Sequence, residues 1–130
     1  MAAAALRNLD YIILLCGRIA ETRAFYLDTM KLTLETDRPD WVSFQVGSGL
    51  LTLRPRGRRL AWDDGPAAAR SASVQLAFRV PPPAIEDWHH DLIAQGIPIL
   101  SPPKDLPAWR HRTLFFRDPE GNIIELYAEI

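Results

Sequence analysis

Phe116-Arg117-Asp118-Pro119-Glu120-Gly121-Asn122, running on into Ile123-Ile124-Glu125-Leu126, is the stretch whose reading decides the fold. Pro at the second turn position and Gly where a positive φ is needed make Asp118 to Gly121 a tight reversal with a physical mechanism. The flanks, Arg110 to Arg117 and Asn122 to Ala128, read as the two strands of a hairpin. Side chains two positions apart on a strand share a face, and immediate neighbours oppose each other. If Glu125 faces one side of the sheet, Ile123 and Tyr127 share that side. Ile124 and Leu126, both apolar, then pack beneath a helix.

The same alternation recurs upstream. Val74, Leu76, Phe78 and Val80 form an apolar series that leaves Gln75, Ala77 and Arg79 on the opposite face. Val42, Phe44 and Val46 oppose Trp41, Ser43 and Gln45. Leu51 and Leu53 oppose Thr52 and Arg54, and Leu114 and Phe116 oppose Thr113 and Phe115. Four strands therefore agree on one polar face.

The order of elements repeats. Leu9 to Cys16 reads as a strand, Ala20 to Lys31 as a helix with Phe25 and Met30 inward, and Thr33 to Thr36, Trp41 to Val46 and Leu50 to Arg54 as three strands. Gly47-Ser48-Gly49 is a hairpin signal. In the second half, Ser73 to Val80 reads as a strand, and Pro81-Pro82-Pro83 suits the first turn of a helix with an Ile85, Trp88, Leu92, Ile93 stripe. Gly96 is the expected left-handed C-cap, Ile97 to Leu100 a short strand, and Ser101 to Arg110 a proline-stiffened loop carrying Trp109 as a lid or dimer contact. The fold class is α+β: tandem βαβββ modules at about 7–55 and 73–130, joined by a polar linker at about 56–72. The chain is expected to form a single domain over 1–130, a curved mixed sheet with helices on its convex face and a ligand cup on its concave face.

Composition narrows the function. Fifteen Lys plus Arg against sixteen Asp plus Glu give a net charge of -1, without the basic excess that drives nucleic-acid binding. The longest apolar run, Tyr11 to Cys16, is far too short to cross a bilayer. The lone Cys16 and the absence of a basic, apolar, small-residue leader pattern give a cytoplasmic, reduced protein as the expectation.

Ala24-Phe25-Tyr26 late in the first helix and the Phe116 to Leu126 stretch resemble the glyoxalase, bleomycin-resistance and extradiol-dioxygenase superfamily, the vicinal oxygen chelate fold, over nearly the whole chain. The chain departs from the family pattern at Arg18, where an acidic helix start is common, and near Lys31, where a Gly is common. The resemblance implies a cup that holds a metal or small ligand and, by the habit of related proteins, a homodimer. Metal-using members place His, Glu or Gln on the first and last strand of each half, positions that fall here on Tyr11, Thr52, Gln75 and Glu125. Only Glu125 is a strong ligand. A phenol, a hydroxyl, an amide and one carboxylate form an oxygen set poor for Zn²⁺ or Ni²⁺, so no tightly bound cofactor is expected. A divalent ion (Mg, Mn, Fe, Zn or Ni) is retained as the alternative, held by Glu125 with help from Gln75 and Tyr11.

Glu125, Tyr11 and His111 are the candidate catalytic groups. His111 is the only histidine with cup-facing parity, whereas the adjacent His89 and His90 lie on the helix. Without metal, Glu125 either hydrogen-bonds Tyr11 or Gln75 or acts as a base or ligand acceptor. Arg54 and Arg79 would suit an anionic ligand, or an ion pair with Glu125 or a rim position. Trp41, Thr52, Gln75, Thr113, Phe115 and Tyr127 complete the expected pocket. The favoured expectation is a small-molecule-binding protein for a modest, partly aromatic or apolar, anionic ligand. The alternatives are a metal-dependent lyase, isomerase or dioxygenase of the same superfamily, and an interaction module whose cup is filled by its own side chains.

Overall fold

The computed structural model describes residues 5–58, 61–68 and 71–130. Within the expected linker, 59–60 and 69–70 lie outside the described residues, as do residues 1–4 of the N-terminal stretch. The chain divides into two compact units, Met1–Ala67 and Ala68–Ile130.

In the first unit, β1 (Tyr11–Cys16) leads into α1 (Ile19–Ala24), followed by β2 (Thr33–Arg38), β3 (Trp41–Val46) and β4 (Gly49–Pro55). The sheet order is β1-β4-β3-β2, with β1 parallel to β4 and the other pairs antiparallel. The second unit repeats this plan: β5 (Gln75–Arg79), α2 (Ala84–Ala94), β6 (Ile99–Leu106), β7 (His111–Arg117) and β8 (Ile123–Glu129), in the order β5-β8-β7-β6, again with the first strand parallel to the last. The predicted α+β class and tandem βαβββ order are both found.

Alternation places the cores where the strand patterns predicted. Leu14, Cys16, Val42, Phe44, Leu51 and Leu53 are buried, as are Phe25, Tyr26 and Met30. Tyr26 meets Phe25 edge-on at 5.1 Å and Phe44 at 6.2 Å. In the second unit Ile85 and Leu92 of α2 are buried along with Leu114, Phe116, Ile124 and Leu126. Ile93, expected in the α2 stripe, is exposed. One helical step of about 100° carries it off the line that joins Ile85 and Leu92.

Two local readings change. The first helix is not a uniform α-helix to Lys31: after Ala24 it widens into a π-helical turn over Phe25–Thr29, with Met30 N–H donating to the Phe25 carbonyl. Lys31 then takes φ 61°, a left-handed conformation that costs a side-chain-bearing residue more than glycine. Ser101 to Arg110 is not a free loop: β6 continues through Pro102 and Pro103 to Leu106, and a 3₁₀ turn, Pro107–Trp109, follows. β6 tolerates the prolines because it is an edge strand, and its register against β7 shifts between Ser101 and Lys104, where they lie.

The β7–β8 turn is built as its sequence predicted. Gly121 has φ 88°, and the Asp118 carboxylate accepts from the Glu120 and Asn122 backbone N–H groups at 2.9 Å and from the Asn122 side-chain amide at 3.0 Å. Asp118 and Asn122 are both buried, so removing the acceptor strands donors away from water. Asp118→Ala is expected to lower stability by about 2 kcal/mol, read as a shifted urea midpoint at unchanged slope.

Candidate functional site

The face of the second sheet that does not carry the core is assembled by register. Ala77 and Phe115 flank Glu125, Arg79 and Thr113 flank Tyr127, and His111 pairs with Glu129. Pairing between β5 and β8 brings Gln75 to Glu125 across 50 positions of sequence. The Gln75 amide donates to Glu125 Oε1 at 2.9 Å, one of the two hydrogen bonds that alternation had offered that carboxylate. Glu125 is only 8% exposed. Its second oxygen has no protein partner among the described residues.

Two positions further along β8, Tyr127 forms a shelf. The His111 ring stacks on it with centroids 4.4 Å apart and planes inclined by 25°. On β5, Arg79 Nε donates to the Tyr127 hydroxyl at 3.2 Å, and the guanidinium carbon lies 5.6 Å from the ring centre. A second Arg79 nitrogen pairs with Glu129 at 3.2 Å, with both side chains largely exposed. The Tyr127 hydrogen bond and then the Glu129 carboxylate hold the guanidinium above its ordinary pKa. His111 Nδ1 is shut off from solvent and has no hydrogen-bond partner among the described residues. Thr113 is buried beside Tyr127, and its hydroxyl donates to the Lys104 carbonyl at 3.4 Å. His89 and His90 lie on α2, away from this face, as predicted.

The first unit presents a different face. Ser43 and Thr52 are opposite each other in the β3–β4 register, fully buried, and joined hydroxyl to hydroxyl at 2.8 Å. Trp41 is half-buried on the same strand, and Tyr11 is 50% exposed on the edge strand β1. Arg54 has a partner that the alternation pattern could not name. It forms a bidentate pair with Asp64 at 2.6 and 2.8 Å, in place of the Glu125 pair or solvent-rim position expected for it. The Asp64 carboxylate also accepts from Gly57 N–H at 3.0 Å and Trp62 Nε1 at 3.1 Å. With side-chain exposures of 9% and 3%, Arg54 and Asp64 tie the segment after β4 back onto the sheet.

The Arg54 fork and these further donors hold the Asp64 carboxyl far below its ordinary value of 3.8. A depressed carboxylate contributes stability that is complete above the unfolded value and lost as the pH falls through the folded one. Arg54 stays charged throughout.

The metal-ligand positions implied by the resemblance do not make a fitting donor set. The Thr52 hydroxyl is bonded to Ser43, the Gln75 amide nitrogen is held by Glu125 so that only its carbonyl oxygen is left to offer, and Tyr11 brings a phenol, so the set contains one carboxylate and no imidazole. Among the described residues, no three His, Cys, Asp or Glu side chains cluster as a metal site would require.

Sequence reasoning had not singled out Asp64 or Glu129. The Glu129 signal was available, because it continues the Glu125, Tyr127 parity by one more step, past the point where the strand had been ended. No comparable signal marks Asp64, whose place depends on the path of the segment after β4.

A family profile described as a glyoxalase-like domain matches residues 9–130, and the chain belongs to that family. Similar solved structures include a glyoxalase/bleomycin resistance protein/dioxygenase from Nocardioides, with 22% identity, coverage of 98% of this chain and 87% of that one, and TM-score 0.82. Lactoylglutathione lyase from Agrobacterium tumefaciens is similar at 21% identity, 95% coverage of each chain and TM-score 0.75. TioX from Micromonospora sp. ML1 is similar at 18% identity, 95% and 100% coverage and TM-score 0.73. These likenesses show a common fold. No curated protein sequence matches. Among the described residues, no helix is long and apolar enough to cross a membrane.

The Arg54–Asp64 pair gives a direct check. Asp64→Asn is expected to lower the melting temperature by several degrees at neutral pH, since it leaves a nearly buried guanidinium without its counter-charge. As the pH is lowered below about 4, wild type is expected to lose stability more steeply than the variant, so that the two melting curves converge.

Proposed function

We propose that this protein binds a small, partly aromatic or apolar molecule on the open face of its second sheet, with Glu125 as the polar anchor and no tightly bound metal. The observation that carries the reading is the Glu125 carboxylate, 8% exposed yet given one donor, Gln75. The carboxylate is largely covered, its second oxygen is left to solvent, and a ligand N–H or O–H can replace the water there with a charge-assisted hydrogen bond. Small Ala77 leaves room on one flank, Phe115 gives an apolar wall on the other, and the His111–Tyr127 stack closes one end of a pocket whose few polar groups fix orientation. Thr113 supports this face by fixing β7 to β6. The anchoring role does not depend on chemistry at the ligand.

A homodimer in the cytoplasm completes the reading. Tyr11, Ile12 and Ile13 stand substantially exposed on the edge strand β1, an apolar strip suited to burial against a second copy. Cys16 is a buried thiol whose Sγ donates to the Leu14 carbonyl oxygen at 3.5 Å.

The superfamily also includes metal-dependent lyases, isomerases and dioxygenases, and one pair of measurements separates these activities from simple binding. Protein purified without chelator is expected to carry no stoichiometric divalent metal. Metal present at one equivalent and lost in Glu125→Ala would overturn the proposal in favour of the enzyme reading. In a thermal screen of a broad small-molecule library, at least one compound is expected to raise the wild-type melting temperature, by about 2.7 kcal/mol of stabilisation at a hundredfold excess over Kd. The same compound is expected to have little effect on Glu125→Gln. No response across the library would favour an interaction module instead.

A further inference from the structure

The open face of the second unit has two polar ends. Glu125 and Tyr127 are two residues apart on β8 and project to the same side, so the two levels are separated by about 7 Å of backbone. At the Glu125 level the protein offers acceptor capacity, the unpartnered second carboxylate oxygen. The Tyr127 level offers donors. Arg79 lies against Tyr127 with its guanidinium mostly in solvent, and an open groove lined by Val80, Pro81 and Pro82 begins beside it.

His111 adds a second donor. Its Nδ1 is sealed without a partner, and a proton there would be a buried, unsatisfied N–H. Such orphans are rarer than unsatisfied acceptors, so Nδ1 suits the acceptor role and Nε2, the nitrogen that is not sealed, the donor role. The protein's own occupant of the donor end is Glu129, paired with Arg79 at 3.2 Å and beside His111 in the strand register. Both members of that pair are about 65% exposed, and an ion pair in solvent holds with little net free energy. An anion placed over the shelf therefore displaces Glu129 from Arg79 at small cost.

We infer that the ligand is a two-ended molecule, with a protonated nitrogen at Glu125 and a carboxylate-type anion at the next level of the sheet, about 7 Å along the strands, at Arg79 and His111, and that Glu129 occupies the anion's place when the site is empty. This rests on the proposed binding function and adds the ligand class. The flat body between the two ends lies beside Phe115 and over small Ala77, because His111 already stacks on the Tyr127 ring. Glu129 then acts as an internal competitor, which sets the affinity for the anion without touching the anchor at Glu125.

The test uses three matched probes in calorimetric titrations: 4-(aminomethyl)benzoate, which carries both ends, 4-methylbenzylamine, and 4-methylbenzoate. Wild type is expected to bind the two-ended probe about tenfold more tightly than either single-ended one. Arg79→Gln is expected to erase that advantage while leaving 4-methylbenzylamine unchanged, and Glu125→Gln to erase the contribution of the amine. Glu129→Gln is expected to tighten both carboxylate probes severalfold and leave the amine probe alone, a gain that a merely structural role for Glu129 would not produce. If the amine binds through Glu125 but the carboxylate adds nothing, or if Glu129→Gln fails to tighten the carboxylates, the two-ended ligand is wrong and the binding function stands. If no probe binds while a library compound still stabilises the protein through Glu125, the ligand class is again overturned alone. Silence from both probes and library overturns the two together.

Discussion

Every side chain in the two sheets is committed to a face by the two-residue alternation of its strand, and each sheet has one helix with which to cover one face. Phe44 and Leu53 in the first unit and Ile124 and Leu126 in the second are sealed on the covered side. Their immediate neighbours have no choice of direction. Burying Ile124 and Leu126 obliges Glu125 and Tyr127 to point the other way, so the free energy that builds the core also orients the polar groups of the site. A one-residue slip of β8 would exchange the two sets, exposing Ile124 and Leu126 and placing a carboxylate under a helix. The candidate site is therefore held as firmly as the core.

Much of this could be read from the chain because it is local. The Asp118 to Gly121 turn, the alternating strands and the doubled order of elements depend on residues within a few positions of one another. The limits of that reading have physical causes. Prolines erase the usual strand signal, and only the knowledge that β6 lies at a sheet edge restores it. The π-helical turn over Phe25–Thr29 adds a residue to the helical cycle that a 3.6-residue template does not anticipate. Side-chain partners were the least legible feature. Alternation gives the face of Arg54 but not the path of the chain after β4, and that path brings Asp64 against it.

The candidate site shows the same division. Its membership on the second sheet follows from strand parity, which placed Gln75, Arg79, His111, Phe115, Glu125 and Tyr127 on a common face. Their pairing does not follow from parity. The Gln75 bond to Glu125 requires that β5 and β8 lie side by side and parallel, a fact of topology. The stack of His111 on Tyr127 requires the β7–β8 register to the residue. Arg54 and Arg79, equivalent as cup-facing arginines in the sequence, are very different in the structure: one is locked into a nearly buried bidentate pair, and the other is loosely held in solvent. Only the second keeps a charge it can share.

Pro102 and Pro103 bear on how far the second sheet can extend. An outermost strand normally displays a row of backbone donors and acceptors, and any extended peptide can zip onto it. Here two consecutive residues lack the donor, and the ladder to β7 is irregular at the same place. Another polypeptide approaching that margin finds no continuous partner, so fibril-like growth on the β6 side is opposed by covalent chemistry, in addition to the charges of Lys104 and Asp105 further along the strand.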